Sequence, residues 1–394
     1  MGISRRAFVR AVGAAGASGV MAFSGAAILA RGREAAFAGR CGDAPDFLPP
    51  ELAPTPGIGR RIRLSSNENP VGPPRVALEA IQAAFSEAPL YPGAPTRRVT
   101  ERVAAHHTVS PASVVMGCGS GEILRMAVYA CTSPRRALVT AAPTFEDPTR
   151  YAELLGAPVI AVPVTRDLKL DLDAMAARAE GAGLVFVCNP NNPTGTVHGA
   201  KAIADFVGRV HKVSPDTTVL IDEAYHHYVE DPSYQTALQL AIDRPGVVVS
   251  RTFSKLYGMA GLRLGYAVGH PDTIAALRRH RLANSVNALV APAAVAALDD
   301  AGLLERERAR NHSAREFTRQ SLAATGYPSV ASEANFIMVD VRRDIRAFQK
   351  ACSDRGVDIG RPFPPLLTHA RISIGTMEEM TAAVEVFKAV LAST

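Results

Sequence analysis

The chain has 394 residues, 47% hydrophobic and 20% charged, with a formal net charge of +6; this suits a soluble globular enzyme of two domains with a sizeable core. The positive charge is concentrated at the start. The first 38 residues hold five arginines and one acid, the remainder 38 basic and 36 acidic side chains, and no basic patch with interleaved aromatics stands out, which argues against a nucleic-acid partner.

Residues 1–38 read as a twin-arginine signal peptide. Ser4-Arg5-Arg6-Ala7-Phe8-Val9-Arg10 resembles the twin-arginine motif, a mildly apolar Gly/Ala-rich stretch covers 11–30, and Ala36-Phe37-Ala38 has the small side chains of a cleavage site. The stretch is too rich in Gly and Ala to make a good membrane span. The expectation is export by the twin-arginine translocase to a periplasmic or other extracytoplasmic location, with a cytoplasmic one if the signal is not used. Residues 39–60 are rich in Pro and Gly and are expected on the surface, within a segment, 39–72, that packs with the smaller domain.

From residue 73 the pattern alternates. Helical periodicity near 74–87, 97–107, 121–131, 145–155 and 199–212 is interleaved with apolar runs at 136–141, 158–163, 183–190, 217–225, 246–253 and 263–269. Short β-branched runs between amphipathic helices predict a mostly parallel sheet covered on both faces. Residues 271–325 read as nearly continuous helix. Residues 334–341 and 370–375 read as strands, and 342–355 and 377–391 as helices. The fold class is therefore α/β, with a large domain at 73–284 and a smaller α+β domain at 285–394, joined by a long helix. The five cysteines, at 41, 118, 131, 188 and 352, show neither metal-like spacing nor a disulfide framework, and Cys131 and Cys188 lie in apolar runs expected in the core.

Four stretches carry chemistry. In VVMGCGSGEIL (114–124) a strand runs into a Gly-rich turn and a helix starting near Ser120, which aims backbone N–H groups at an anion; Glu122 replaces the third glycine of a dinucleotide fingerprint, and a plain βα turn is the other reading. In FVCNPNNPTGTV (186–197) three asparagines follow a strand, more than a turn needs, at the kind of strand end where ligands bind. In VLIDEAYHHY (219–228) Asp222 ends a strand, where a carboxylate needs a cationic partner or strong donors unless it caps a helix. In SRTFSKLYGMAGLRLGY (250–266) Lys255 lies among small and apolar residues, in a chain that has only six lysines and writes arginine elsewhere. An amine can lose its proton and attack a carbonyl, and a guanidinium cannot. Together these describe a ligand with a phosphate (Gly-rich turn, Thr252, Ser254, Arg263), an aldehyde (Lys255), a basic ring nitrogen (Asp222) and a phenolic oxygen (Asn192, Tyr225). Pyridoxal 5′-phosphate has all four, and a lysine imine with an Asp at the ring nitrogen is the signature of its sites.

With LSSNENPVGP (64–73), LYPG (90–93), APTF (142–145), EANFIMVD (333–340) and ARISIGTMEEM (370–380), these motifs resemble the fold-type I, class I/II aminotransferases, nearest the histidinol-phosphate aminotransferase family, over residues 62–392. The resemblance implies a large domain with a mostly parallel seven-stranded sheet. It implies phosphate contacts from the N–H groups of Ser120 and Gly121 and from Thr252, Ser254 and Arg263. Phe145 would stack on the ring where the family usually has Tyr, and Asn192 and Tyr225 would meet the phenolic oxygen. Arg371 would bind the substrate carboxylate and Asn67 would border the substrate. Tyr91 would reach the phosphate of a neighbouring subunit, implying a homodimer with shared sites. Cys118 in the phosphate loop and Gly93 after Tyr91-Pro92 depart from the family pattern. The reaction expected is transfer of an amino group between an amino acid, or an amine such as histidinol phosphate, and a 2-oxo acid. The alternative is a decarboxylase similar to threonine-phosphate decarboxylase; an exported binding protein and a nucleotide-binding oxidoreductase are the rivals outside this chemistry.

Overall fold

The computed structural model describes residues 61–393; residues 1–38, read above as a signal peptide, and residues 39–60 lie outside the described part. Eleven strands run through it: β1 (Ile62–Leu64), β2 (Val114–Gly117), β3 (Leu138–Ala142), β4 (Val159–Pro163), β5 (Leu184–Cys188), β6 (Thr218–Asp222), β7 (Val247–Thr252), β8 (Gly265–Gly269), β9 (Phe336–Asp340), β10 (Val357–Ile359) and β11 (His369–Ser373). Strands β2 to β8 form one seven-stranded sheet in the order β2-β8-β7-β6-β5-β3-β4. Neighbours from β7 through β4 pair in parallel, and β8 runs antiparallel to both β7 and β2. This is the expected mostly parallel sheet, and it aligns the carboxyl ends of six strands along one edge.

The apolar runs form strands because both sheet faces are buried. Side chains alternate between faces: Val219, Ile221, Val247 and Val249 enter the cluster on one face, and Phe186, Cys188, Leu220 and Val248 the cluster on the other. Helix Ala200–Val213 covers the first face with Ile203, Phe206, Val207 and Val210. Helices Gly119–Cys131 and Pro271–Arg278 cover the second with Ile123, Ala127, Ile274 and Leu277. Cys188 is buried as expected, whereas Cys131 at its helix end is half-buried. No helix among the described residues is long and apolar enough to cross a membrane.

The continuous helix expected over 271–325 is instead three helices, Pro271–Arg278, Val290–Asp299 and Leu303–Ala323. Short polar side chains interrupt it by bonding to nearby backbone, which competes with the helical ladder. Asn287 Oδ1 accepts from the N–H groups of Leu289 and Val290, Asp300 Oδ1 accepts from Gly302 N, and Asn284 takes a left-handed φ of 55°. Two short helices, Leu172–Ala177 and Leu238–Asp243, and the strands β1 and β10 were not visible in the periodicity.

The carboxyl-terminal elements build a second core. Strand β1 pairs in parallel with β10, β9 pairs antiparallel with β11, and Leu64, Ile337, Phe348, Ile372 and Phe387 share one cluster. The packing changes within helix Leu303–Ala323, beyond the 284/285 boundary drawn from sequence: Val290, Ala294 and Leu303 pack with the large sheet, Ala314 and Leu322 with the second core.

One ion pair is buried in the large sheet. Arg251, on the face opposite the neighbouring Ser250 and Thr252, donates to Glu223 Oε2 from Nε at 3.1 Å and Nη2 at 2.8 Å. Thr236 Oγ1 and Ala237 N add hydrogen bonds to the same carboxylate, each at 2.7 Å. Removing one member leaves the other charge uncompensated. Arg251→Met is therefore expected to lower folding stability by about 3–5 kcal/mol, measured as the shift in urea unfolding; a shift below 1 kcal/mol would show that the pair carries no such role.

Candidate active site

A cavity of about 580 Å³ opens where the carboxyl ends of the parallel strands meet the second core. Each strand delivers its side chains there by alternation. Cys188, Asp222 and Thr252 end β5, β6 and β7 on one sheet face, and all three line the cavity. Of the residues singled out from sequence, Ser120, Gly121, Phe145, Asn192, Asp222, Tyr225, Thr252, Ser254, Lys255, Arg263, Arg371 and Asn67 line it together. Tyr91 does not: it is not among the residues lining the cavity, and it is 86% exposed.

The anion cradle is built from backbone that side chains would obstruct. A Cβ at Gly119, which has φ +73°, would lie 2.3 Å from Arg263 Nη2, and one at Gly265 would lie 2.3 Å from Ser120 N. Only glycine lets the β2 turn, the first strand residue of β8 and the guanidinium approach so closely. Helix Gly119–Cys131 starts here, so its first N–H groups face the cavity. Glu122, in place of a third glycine, accepts from Cys118 N at 2.6 Å and from Leu282 N at 2.8 Å and so ties the turn to the following chain. Arg263 sits at a left-handed φ of 60° and donates to Ser254 Oγ at 3.3 Å and Ala260 O at 2.9 Å. Ser254 N donates to Thr252 Oγ1 at 3.0 Å.

The three asparagines divide their work. Asn189 exchanges hydrogen bonds with the backbone of His198, and Asn191 bonds to Thr144, Pro143 O and Thr194. These two fix the turn, and Asn192 alone lines the cavity. Its Oδ1 accepts from Arg371 Nη1 at 2.7 Å, while Arg371 Nη2 donates to Ser65 O at 2.5 Å. Gly360 lets Arg371 lie close, since a Cβ there would come within 3.2 Å of Arg371 Nε. Burial lowers the Arg371 guanidinium to about 10, still charged near neutral pH.

Asn67 joins the parts. Its backbone N donates to Ser373 Oγ on β11 at 2.8 Å, its Nδ2 to Tyr225 OH at 3.1 Å, and its carbonyl accepts from Asn335 Nδ2 at 3.0 Å and Lys255 Nζ at 3.2 Å. It adopts φ 54°, a conformation asparagine tolerates better than most residues. Because Asn67 is the donor to Tyr225, the phenol keeps its own proton to give.

Burial acts on the two central charges in opposite directions. It lowers Lys255 from 10.5 to about 8, helped by the nearby Arg371. It raises Asp222 from 3.8 to about 6, against the hydrogen bond from Ser250. A nucleophilic amine and a carboxylate that titrates near neutrality thus share one cavity. These donors fit pyridoxal phosphate: an amine for the aldehyde, a carboxylate for the ring nitrogen, donors for the phenolic oxygen, and a glycine-lined cradle with a fixed cation for the phosphate.

Sequence reasoning missed several wall residues. Thr144 lies within the APTF motif but had no predicted role, and Asp147, whose carboxyl is raised by burial, stands near the cradle. Arg361 and Phe363 come from the loop after β10. The Phe363 ring lies 4.3 Å from the Arg361 guanidinium and 4.7 Å from that of Arg371, and Arg361 pairs with Glu146 at 2.5 Å. Only the sequence placement of Arg361, ten residues before Arg371, could have drawn notice.

Residues 60–387 match the family described as aminotransferase class I and II. The chain belongs to that family. It is 40% identical over 338 residues to a histidinol-phosphate aminotransferase of Symbiobacterium thermophilum, covering 85% of this chain and 92% of the relative. An aromatic amino acid aminotransferase of Thermobifida fusca is 38% identical over 326 residues, 82% of this chain and 89% of the relative. The fold matches the crystal structure of histidinol-phosphate aminotransferase from Sinorhizobium meliloti in complex with pyridoxal-5′-phosphate, with TM-score 0.78 and 27% identity over 85% of this chain and 91% of that one. The decarboxylase alternative finds no support among these relatives.

For this aminotransferase the amine of Lys255 becomes neutral as pH rises through about 8. Uptake of pyridoxal phosphate in borohydride-fixable form by the cofactor-free protein should therefore quicken from pH 6.5 to pH 9 and then level. Lys255→Ala and Lys255→Arg should give no fixed product at any pH. A rise centred above pH 10 would show an amine that burial does not perturb.

Proposed function

We propose that the protein is a pyridoxal-phosphate-dependent aminotransferase that moves an amino group from an amino acid, or an amine of that type, to a 2-oxo acid. The observation that carries this reading is Lys255 in the same cavity as Asp222 and Arg371. Pyridoxal phosphate, when bound, supplies an aldehyde for the amino group and a ring that draws electrons from the substrate's α-carbon. The chain does the rest. Lys255 Nζ would take the proton from the substrate's α-carbon and deliver it to the carbon that had been the cofactor's aldehyde carbon, which its lowered pKa permits. Asp222 offers a carboxylate to the ring nitrogen, and Tyr225 and Asn192 offer hydrogen bonds to the phenolic oxygen. Arg371 exchanges its bonds to Asn192 and Ser65 for the substrate carboxylate. The first oxo product leaves before the acceptor 2-oxo acid enters the same site, so ping-pong kinetics are expected.

Arg361 places a second guanidinium at the cavity beside Arg371. This suits a donor with one or two acidic groups, which covers both ordinary amino acids and histidinol phosphate. A donor panel on the purified protein tests the reading. Donors carrying an acidic group should yield oxo products, and simple amines should not. Arg371→Ala should lose about 2–5 kcal/mol of transition-state binding, by analogy with truncated buried pairs, read from kcat/KM. Simple amines reacting as well as amino acids would overturn the role of Arg371.

Export and assembly belong to the same proposal. Arg5 and Arg6 before a weakly apolar stretch support passage through the twin-arginine translocase, a route suited to a protein that folds around its cofactor in the cytoplasm. A location outside the cytoplasm argues against histidine biosynthesis as its role. The exposed Phe85, Leu90 and Tyr91 support a homodimer in which Tyr91 reaches the phosphate of the partner's site. Replacing Arg5 and Arg6 by Lys should leave full-length protein in the cytoplasm, while the parent should be recovered outside it, begin near Gly39 and sediment at twice its chain mass. Equal export of both forms, or a monomeric parent, would remove the corresponding part of the proposal.

A further inference from the structure

Strand β7 begins Val247-Val248-Val249, three wholly buried apolar residues, and then places a hydroxyl, Ser250, at 0% exposure. A buried hydroxyl is costly without a partner. Ser250 Oγ donates to Asp222 Oδ1 at 2.5 Å, and this is the one hydrogen bond that the Asp222 carboxylate receives among the described residues. The contact follows from strand register, since Asp222 on β6 lies directly opposite Ser250 on β7. By alternation Ser250 and Thr252 share the face that lines the cavity, while Arg251 turns to the other face and to Glu223. The hydroxyl therefore serves Asp222 and no part of the buried ion pair behind it.

We propose that Ser250 is a positioning residue for this aminotransferase: its hydroxyl holds Asp222 in an oriented, charged form and leaves Oδ2 as the oxygen that meets the ring nitrogen of pyridoxal phosphate. The inference rests on the functional reading above. Nothing else close by does this work. Glu223 and Asp147 oppose the charge on Asp222, and burial opposes it most. Lys255 favours the charge, but its own amine is neutral through part of the working range. Cys188 on β5 is buried with its thiol pushed up, so it carries no charge near neutral pH.

The test is cofactor binding as a function of pH. Cofactor-free parent and Ser250→Ala are titrated with pyridoxal phosphate between pH 6 and pH 8.5, and the ratio of their dissociation constants is taken at each pH. The ratio cancels the cofactor's own titration. A donor to a carboxylate favours its charged form, so losing it raises the pH at which Asp222 takes up a proton. The ratio should stay within about threefold at pH 8.5, where the carboxylate is charged in both proteins, and reach about tenfold or more at pH 6, as expected for losing a hydrogen bond to a charged group. Alanine adds no volume, and circular dichroism should show the cofactor-free variant folded at each pH used, even though the lost hydrogen bond lowers its unfolding midpoint. A ratio near one throughout, or one equal at every pH, would reduce Ser250 to a packing residue and overturn the inference alone. A parent that takes up no pyridoxal phosphate would overturn the functional reading, and this inference with it.

Discussion

Desolvation of Lys255 and Asp222 in one cavity is the constraint on which the rest depends. Water is withdrawn from both, so the amine is pushed toward its neutral form and the carboxylate toward its protonated form. Their mutual attraction only partly offsets this. Both end with titration points near neutral pH, which leaves each able to change charge when a ligand brings its own. An exposed lysine at 10.5 and an exposed aspartate at 3.8 would have neither property.

The sheet makes this burial tolerable by using its two faces separately at the ends of β6 and β7. One face presents Asp222 with Ser250, together with Thr252, to the cavity. The other buries Glu223 against Arg251 under Thr236 and Ala237. The polar groups behind the cavity satisfy one another, so they do not compete for the ligand. The arrangement also accounts for an acid pair, Asp222-Glu223, at the end of a buried strand, since alternation sends the two carboxylates to different partners.

Closure from the other side is the work of two stretches far apart in the sequence, residues 62–69 and the carboxyl-terminal elements. Strand β1 pairs with β10, and Asn67 bonds to residues on β11, after β6, after β7 and before β9. Arg371 arrives on β11, and its contacts with Asn192 and Ser65 join the second core to the large sheet and the amino-terminal segment. The cavity thus borrows walls from three stretches far apart in sequence, held by these hydrogen bonds, while Arg371 Nε and Asn335 Oδ1 are buried without a partner among the described residues.

The alternation of helices and apolar strands, the parallel character of the sheet and twelve of the cavity-lining residues were legible in the sequence. Local rules account for the sheet, the glycine turn, Asp222 and Lys255: β-branched runs between amphipathic helices, glycines where backbone must approach a ligand, and a lysine kept where arginine is otherwise preferred; Asn67, Phe145 and Arg371 came only from the resemblance to the aminotransferase family. Tertiary structure alone decided what local pattern cannot encode. Which of three asparagines within four positions faces the ligand depended on hydrogen bonds to Thr144 and His198. The breaks in the 271–325 helical pattern depended on side chains choosing their own backbone. The pairing of β1 with β10, the guanidinium of Arg361 at the cavity and the hydroxyl of Ser250 beneath Asp222 depended on strand register, because contacts between residues tens to hundreds of positions apart are set by packing and not by the sequence around either one.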